Sequence, residues 1–243
     1  MDYEKFYAQF HLTAEQEAAT VAYYRQYVAD IPAPSKGDLM LDVGCGWGLL
    51  MRAFEEAGYV TEGIDISEGQ VREAKARGAK AIHVTDSVAF LEGNPGRYSV
   101  ITLFDVLEHI SASEQVRLMR AIGIALKPGG RLLLKTPSAY CSSAMVMRYI
   151  DPTHQNVLTN AVLNFLCQTA ELDIKVLQGE HKYSHRPPLR RALTKGFWIW
   201  HGYYVIQKFF RAWRRLELMS ELGADHANAA VLAPNLYLIA QKR

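Results

Sequence analysis

Short apolar runs alternate with longer segments of helical periodicity along most of the chain. The apolar runs predict seven β-strands, at LMLDVG, YVTEGIDIS, AKAIHVTD, RYSVITLFD, RLLLKTP, LDIKVLQGE and NLYLIAQKR. Between them, segments such as LLMRAFEEAG, EGQVREAKARG and SASEQVRLMRAIGIAL place apolar residues at helical spacing. Strands that alternate with helices are typical of right-handed crossovers and of a parallel sheet covered on both faces. The pattern therefore predicts an α/β fold, doubly wound, with a mostly parallel seven-stranded sheet.

The same pattern predicts one domain with two additions. We expect residues 1–36 to form an N-terminal helical cap, because a stretch with helical character there ends in IPAPSKG. Residues 181–230 predict a helical insertion or subdomain before the last strand, and the pair Pro187 and Pro188 marks a break near its start. We expect a single domain over residues 1–243, since a chain of this length can bury a substantial core.

The insertion is both aromatic and basic, although the net charge of the whole chain is only +2. Between residues 181 and 219, nine Lys and Arg residues stand against one acid, Glu217. Apolar residues at steps of three or four form one helical face, namely Ile199, Tyr203, Ile206, Phe210 and Trp213. Nearby basic residues lie mostly off that face, namely Lys208, Arg211, Arg214 and Arg215. Three interpretations stay open: packing on the domain itself, packing on a second subunit in a homodimer, or contact of residues 197–219 with an anionic membrane surface.

A glycine-rich loop follows the first predicted strand, in LDVGCGWG. Gly44, Gly46 and Gly48 form G-x-G-x-G, whereas the dinucleotide fingerprint places its third glycine where Leu49 stands. Asp42 precedes the loop, and a carboxylate there does not suit an anionic pyrophosphate. In a parallel α/β sheet, ligands bind beyond the carboxyl ends of the strands. The loop therefore predicts a site for a cationic ligand.

Five ordered motifs resemble those of class I S-adenosylmethionine-dependent methyltransferases. LDVGCGWG resembles the first motif, GIDIS the second-strand motif and TDSVAFL the third. FDVLEHI and LKPGGRLLLKTP are similar to the fourth and fifth motifs of the subgroup with quinone-biosynthesis enzymes. Methyltransferases of polysaccharide gene clusters are a looser likeness. The resemblance covers about Leu39 to Thr136 and implies a Rossmann-like fold, with S-adenosylmethionine as cofactor and S-adenosylhomocysteine as product.

The resemblance also implies which positions contact the cofactor. They are Asp42, Gly44, Cys45, Gly46, Gly48, Asp65, Ile66, Asp86, Ser87, Phe104 and Asp105. By this likeness, Asp42 and the glycine backbone hold the amino-acid part and Asp65 takes the ribose hydroxyls. Asp86 accepts from the adenine amino group, with Ile66 and Ser87 beside it, and Phe104 and Asp105 line the methionine side. Four aromatic residues near the N-terminus either cover the cofactor or only pack, namely Tyr3, Phe6, Tyr7 and Phe10.

Histidines are the candidate catalytic residues, because a hydroxyl acceptor must lose a proton near neutral pH. His154, in YIDPTHQNVLT, is the first candidate, as a base or as a group that orients the acceptor. His109, in LEHI, is a weaker candidate, with packing or helix capping as the alternative. His181 and His185 are remoter candidates, for binding an acidic substrate.

No metal is expected to take part. A site built from Asp105, Asp151 and His154 is conceivable, but no paired-carboxylate motif supports it. The three cysteines, Cys45, Cys141 and Cys167, are spaced like neither a disulfide framework nor a zinc site.

The sequence shows no signal-peptide pattern and no long uninterrupted apolar segment. We therefore expect a reduced, cytoplasmic setting, or a peripheral position on the inner face of the membrane. No nucleic-acid partner is expected, since the net charge is small and no recognition module is present.

The expected function is O-methylation of a hydroxyl on a small molecule or on a cell-surface glycan, as in polysaccharide biosynthesis. A lipid-linked or quinone-like acceptor is the alternative within the same class. From other classes, an NAD(P)-binding oxidoreductase and a non-catalytic cofactor-binding subunit stay open.

Overall fold

The chain forms one seven-stranded sheet with helices on both faces. The structure, a computed structural model, describes residues 12–141, 143–180 and 195–243. The strands are β1 (Leu39–Val43), β2 (Val60–Asp65), β3 (Ile82–Val84), β4 (Tyr98–Phe104), β5 (Leu126–Pro137), β6 (Leu172–Gly179) and β7 (Asn235–Lys242). Their order in the sheet is β3-β2-β1-β4-β5-β7-β6. Strands β1 to β5 pair in parallel, and β7 runs antiparallel between β5 and β6. The predicted mostly parallel, seven-stranded α/β fold is confirmed.

Helices precede β1 and lie between the later strands along the chain. They are α1 (Ala14–Val28), α2 (Leu49–Glu56), α3 (Glu68–Ala76), α4 (Ser87–Glu92), α5 (Ala112–Ala125), α6 (Ala144–Ile150), α7 (Asn160–Thr169), α8 (Lys195–Leu222) and α9 (Ala224–Ala229). A 3-10 turn spans Leu107–His109. None of the helices in the described residues combines the length and apolar content that crossing a bilayer requires.

The core lies in two layers, one on each face of the sheet. Side chains alternate along a strand, so Leu41 and Val43 face one way and Met40 faces the other. Leu41 and Val43 belong to the larger cluster with α5 and α7 residues, whereas Met40 packs with Tyr27 and Phe54 of α1 and α2. This core holds the sheet from both faces. Because β1, β2, β4 and β5 are parallel, their carboxyl ends lie at the same edge of the sheet.

Side chains cap the helices that begin at this edge. Ser67 accepts a hydrogen bond from the Gln70 N–H and begins α3. Ser111 and Glu114 form a capping box that begins α5. These caps fix where each helix starts, and hence how the preceding loops face the edge of the sheet.

The sequence pattern missed one helix and misplaced the start of strand β5. Strand β5 begins at Leu126, before the KPGG turn, and its register with β4 shifts between Tyr98 and Val100. The strand thus continues through an irregularity where turn residues predicted a break. Helix α6 was not predicted; it has only seven residues, too few to show a helical period, and none of its side chains is buried. Helix α9 lies within the predicted helical stretch of residues 181–230.

Helix α8 exposes its apolar face. Six large apolar side chains between positions 205 and 216 are 53–65% exposed, namely Val205, Ile206, Phe209, Phe210, Trp213 and Leu216. The C-terminal end of the helix is held, because Leu218 packs against Ala227 and Ala230. Packing of this face on the domain itself is therefore wrong for residues 205–216, and a second subunit or a membrane surface stays a prediction. The expectations for Tyr3, Phe6, Tyr7, Phe10, His181 and His185 lie outside the described residues.

Candidate functional site

Two adjacent cavities form a cleft at the carboxyl edge of the sheet. Their volumes are about 370 and 330 Å³. Gly44, Gly46, Gln70 and Asp105 line both, so these residues mark the junction. The larger cavity extends towards α4 and α5, and the smaller one lies under α1. The cleft occupies the place at which a parallel α/β sheet binds its ligands.

The glycine loop forms the floor of both cavities. Gly44 has a φ of 73°, and a Cβ there would lie 2.5 Å from Cγ2 of Val106. Any larger residue at position 44 would therefore strain the backbone and collide with the turn after β4. Gly48 lines neither cavity; it begins α2 with a φ of 72°, so its role is in the turn.

Asp65 ties the loop to the next crossover. Its carboxylate accepts hydrogen bonds from the Gly46 N–H and the Ser67 N–H, both at 2.9 Å. Burial raises the pKa of Asp65, and the two N–H donors oppose that shift. A carboxylate has about four acceptor positions, so two N–H bonds leave capacity for a vicinal diol. The geometry fits the ribose role implied by the resemblance.

Asp42 is a buried acid at the end of β1. Its side chain accepts a hydrogen bond from the Thr102 hydroxyl at 2.6 Å, in register across the β1–β4 pair. Burial raises the pKa of Asp42 to about 7, against the lowering effect of Thr102. No salt bridge joins Asp42 or Asp65 to a cation within the described residues. A buried acid and a half-buried acid, neither paired with a cation, suit a positively charged ligand.

The remaining predicted residues divide between the two cavities. Ile66, Asp86 and Ser87 line the larger cavity, and Cys45 and Phe104 line the smaller one. Asp86 also accepts the Ala89 N–H at 2.9 Å and caps α4, so its carboxylate fixes the start of that helix beside the larger cavity.

Helix α1 forms one wall of the smaller cavity. Thr20 and Tyr24 line the smaller cavity, opposite the glycine loop. Arg77 lies 4.4 Å from the centre of the Trp47 ring, and its Nε lies 2.8 Å from Glu17 on α1. Because only 19% of the Arg77 side chain is exposed, water screens this contact less than a surface pair. The clamp fixes α1 against the loop.

Gly63 in β2 supports the site from below the glycine loop, a role that the sequence motifs did not indicate. A Cβ there would lie 2.6 Å from Sδ of Met51 and 3.0 Å from Sγ of Cys45. Glycine at position 63 therefore lets the loop and α2 lie close against β2. A glycine inside an apolar strand is the sequence signal that could have found it.

Two histidines lie together beyond the end of β4. The ring centroids of His109 and His154 are 4.6 Å apart. His109 lines the larger cavity, whereas His154 is held behind it by a contact of 2.6 Å between Nδ1 and the Met147 carbonyl. The structure therefore brings the weaker sequence candidate closer to the cleft than the stronger one.

Potential metal ligands also meet there. Within the described residues, one ligand atom each from Glu108, His109 and His154 lie within 4.8 Å of one another. This trio differs from the one considered from the sequence, since Asp105 bonds to Lys135 and Asp151 to Thr153. Burial raises the pKa of Glu108, and a protonated carboxyl is a poor metal ligand. The expectation that no metal is needed stays a prediction.

The cleft and its residues define a methyltransferase of the α/β class, and comparison with known proteins agrees. The family model described as "Methyltransferase domain" matches residues 14–175. The chain belongs to this methyltransferase domain family. The predicted class, a class I S-adenosylmethionine-dependent methyltransferase, is confirmed, and with it the enzyme class and the cofactor.

Individual relatives agree with this assignment. The chain is 31% identical over 123 residues to a ubiquinone biosynthesis O-methyltransferase of Pseudomonas paraeruginosa, covering 47% of this chain and 52% of that protein. It therefore spans about half the length of that curated relative.

Solved structures share the fold. A SAM-dependent methyltransferase of Archaeoglobus fulgidus superposes with a TM-score of 0.65, at 18% identity and full coverage of both chains. The magnesium protoporphyrin IX methyltransferase of Synechocystis PCC 6803, solved with bound SAH, gives a TM-score of 0.56 at 17% identity, covering 99% of this chain and 92% of that one.

Lowering the pH from 7.5 to 6 is expected to weaken S-adenosylmethionine binding about tenfold. Asp42 has a pKa of about 7 without ligand, and a cationic ligand favours its ionised form. Affinity is therefore full above pH 7 and falls about one decade per pH unit below it. Calorimetry at pH 6, in buffers of different ionisation enthalpy, should record proton release on binding. Asp42→Asn cannot titrate and should lose this proton release, whereas a wild-type affinity equal at both pH values contradicts the prediction.

Proposed function

We propose that this chain transfers a methyl group from S-adenosylmethionine to a hydroxyl group of a small-molecule acceptor. The observation that carries the proposal is the imidazole of His109, which lines the cleft. A hydroxyl acceptor needs a base to take its proton, whereas an amine acceptor needs less help. A neutral histidine beside the cleft is suited to that task.

The proton of His109 lies on Nδ1. That nitrogen is 2.8 Å from the Thr153 hydroxyl oxygen, and the Thr153 hydroxyl donates to Asp151 at 2.6 Å. Because the one hydroxyl proton goes to the carboxylate, the Thr153 oxygen accepts from His109. Nε2 then carries the basic lone pair. Burial and the neighbouring His154 lower the pKa of His109, which keeps the ring neutral near pH 7.

His154 has the same tautomer for a different reason. A carbonyl oxygen can only accept, so the contact with Met147 places the His154 proton on Nδ1. We assign His109 as the base and His154 as the group that orients the His109 ring, and through it the acceptor.

The rest of the chain binds and aligns. When bound, the cofactor supplies an electrophilic methyl group for an in-line displacement. Asp42 and Asp65 hold its charged and polar parts, and the glycine loop lets it approach the backbone. Tyr24 and Phe104 line the smaller cavity, and their rings contact each other with centroids 6.3 Å apart. Alignment of this kind is a major contribution that a protein makes to such transfers.

The product of a labelled reaction tests the proposal directly. Protein and methyl-labelled S-adenosylmethionine are incubated with a catechol and, separately, with the aromatic amine of the same ring. We expect label in an acid-stable methyl ether of the catechol and little in the amine. Preferential N-methylation would contradict the assignment of His109 as a base for a hydroxyl acceptor.

A quinone-like or lipid-linked acceptor is the second candidate. It is favoured by the exposed apolar face of α8 and by the name of the relative from Pseudomonas paraeruginosa. A cell-surface glycan stays a prediction, as do the cytoplasmic setting, the homodimer and the contact of residues 197–219 with a membrane. The same labelled assay compares a quinol with a free sugar as acceptors.

A further inference from the structure

Asp105 is held in an unusual backbone conformation at the junction of the two cavities. It follows β4 directly and has a φ of 55°, one of two positive values at non-glycine positions in the described residues. Such a conformation is costly for a residue with a Cβ and persists only where its surroundings impose it. The Asp105 N–H donates to the Lys135 carbonyl at 2.9 Å. About half of the Asp105 side chain is exposed, towards the cleft.

Lys135 is a buried lysine with its ammonium group on the same aspartate. It lies on β5 opposite Phe104, and only 9% of its side chain is exposed. Nζ lies 2.6 Å from Oδ2 of Asp105 and 5.5 Å from the centre of the Phe104 ring. Burial alone would lower the pKa of Lys135, but the charge and hydrogen bond of Asp105, together with Tyr24 and Glu108, outweigh it and keep the pKa above the usual value. The ammonium group therefore stays charged.

We propose that Lys135 is a positioning residue that fixes the Asp105 carboxylate at the junction of the cleft and masks its charge from the cofactor. Lys135 contacts Asp105 twice. Its backbone carbonyl accepts a hydrogen bond from the Asp105 N–H, and its ammonium group pairs with the Asp105 carboxylate. The pair adds no net charge to a cleft that already contains Asp42 and Asp65. Lys135 thereby sets how strongly the cleft prefers the cationic cofactor to its product.

The charge difference between cofactor and product isolates this effect. S-Adenosylmethionine and S-adenosylhomocysteine share the ammonium, carboxylate, ribose and adenine groups and differ in the methyl group and the sulfonium charge. Contacts to the shared groups cancel in the ratio of the two dissociation constants. An unmasked carboxylate in the cleft would also attract the sulfonium charge, which only S-adenosylmethionine carries, by a Coulomb term that is large where water is scarce. A change in this ratio is therefore a readout of charge and not of general damage.

Calorimetric affinities for both ligands test the proposal. Lys135→Met should shift the ratio about tenfold towards S-adenosylmethionine, because Asp105 is then uncompensated. Asp105→Asn should shift it the other way, since the ammonium is then unpaired. The double variant should return to within about threefold of the wild-type ratio, and Lys135→Arg, which keeps the charge, should rescue most of it. Lys242→Met is the matched control, because Lys242 forms a 2.9 Å pair with Glu171 at the opposite edge of the sheet.

Two results would overturn the proposal. One is an unchanged ratio in Lys135→Met, and the other is a shift that persists in the double variant. Should Lys135→Met not fold, Asp105→Asn still tests the opposite sign at a half-exposed position. The proposal rests on the cofactor and not on the acceptor, so it stands or falls separately from hydroxyl methylation. A wild-type protein that binds neither ligand would overturn both this proposal and the cofactor assignment.

Discussion

Asp65→Ala is expected to weaken binding of S-adenosylhomocysteine by a factor of about 100 or more. Two hydrogen bonds from a diol to a charged carboxylate contribute roughly 1.5–3 kcal/mol each, and 100-fold corresponds to about 2.7 kcal/mol. The variant also releases the Gly46 and Ser67 N–H groups that Asp65 holds. The glycine loop would therefore lose a support as well as a ligand contact.

Calorimetry on the folded variant measures this loss, with a cooperative thermal transition as the criterion of folding. Asp173→Ala is the matched control, since Asp173 makes an exposed 2.8 Å pair with Arg243 outside the cleft. We expect the control to bind like the wild type. A folded Asp65→Ala protein with wild-type affinity would refute the ribose assignment.

His109→Ala is expected to lower kcat by about 10²- to 10⁴-fold, the usual contribution of a general base. The dissociation constant for S-adenosylhomocysteine should stay within about threefold, because the acids and glycines that hold it are unchanged. His154→Ala should raise the acceptor KM more than it lowers kcat, because its assigned role is orientation. Initial rates measured over a range of concentrations of an acceptor that the protein methylates separate kcat from KM.

His83→Ala serves as the matched histidine control. His83 lies on β3, is half exposed and pairs with Glu62 at 3.2 Å, and it lines neither cavity. Wild-type turnover in His109→Ala would remove this residue from the mechanism. A larger loss of kcat in His154→Ala than in His109→Ala would reverse the two roles.

Local pattern was enough to find the sheet, and the family resemblance pointed to residues that line the cleft. The central strands β1, β2 and β4 are apolar runs that are mostly buried, so their signal is strong. Gly44 and Gly46 follow β1 directly and Asp65 ends β2, so their positions could be predicted without a structure. Helix α6 shows the limit, since Met145, Val146 and Tyr149 are 57–66% exposed and give no burial pattern.

Contacts across the sheet could not be read in the same way. Lys135 stands inside RLLLKTP, where a single lysine suggests an exposed position. Its role depends on the register that places it opposite Phe104, next to Asp105. The proximity of His109 and His154 likewise depends on how the loop after β5 folds back, which 45 residues of separation do not specify. Long-range geometry of this kind requires the folded chain.

The clamp between Arg77, Trp47 and Glu17 has a consequence for where the working unit begins. A fragment starting at Leu39 would keep every strand and the whole glycine loop, but it would lose Tyr27, which is fully buried against Met40 on one face of the sheet. It would also lack Thr20 and Tyr24, which line the smaller cavity. Helix α1 therefore both covers one face of the sheet and completes the cleft, so a working fragment has to include it.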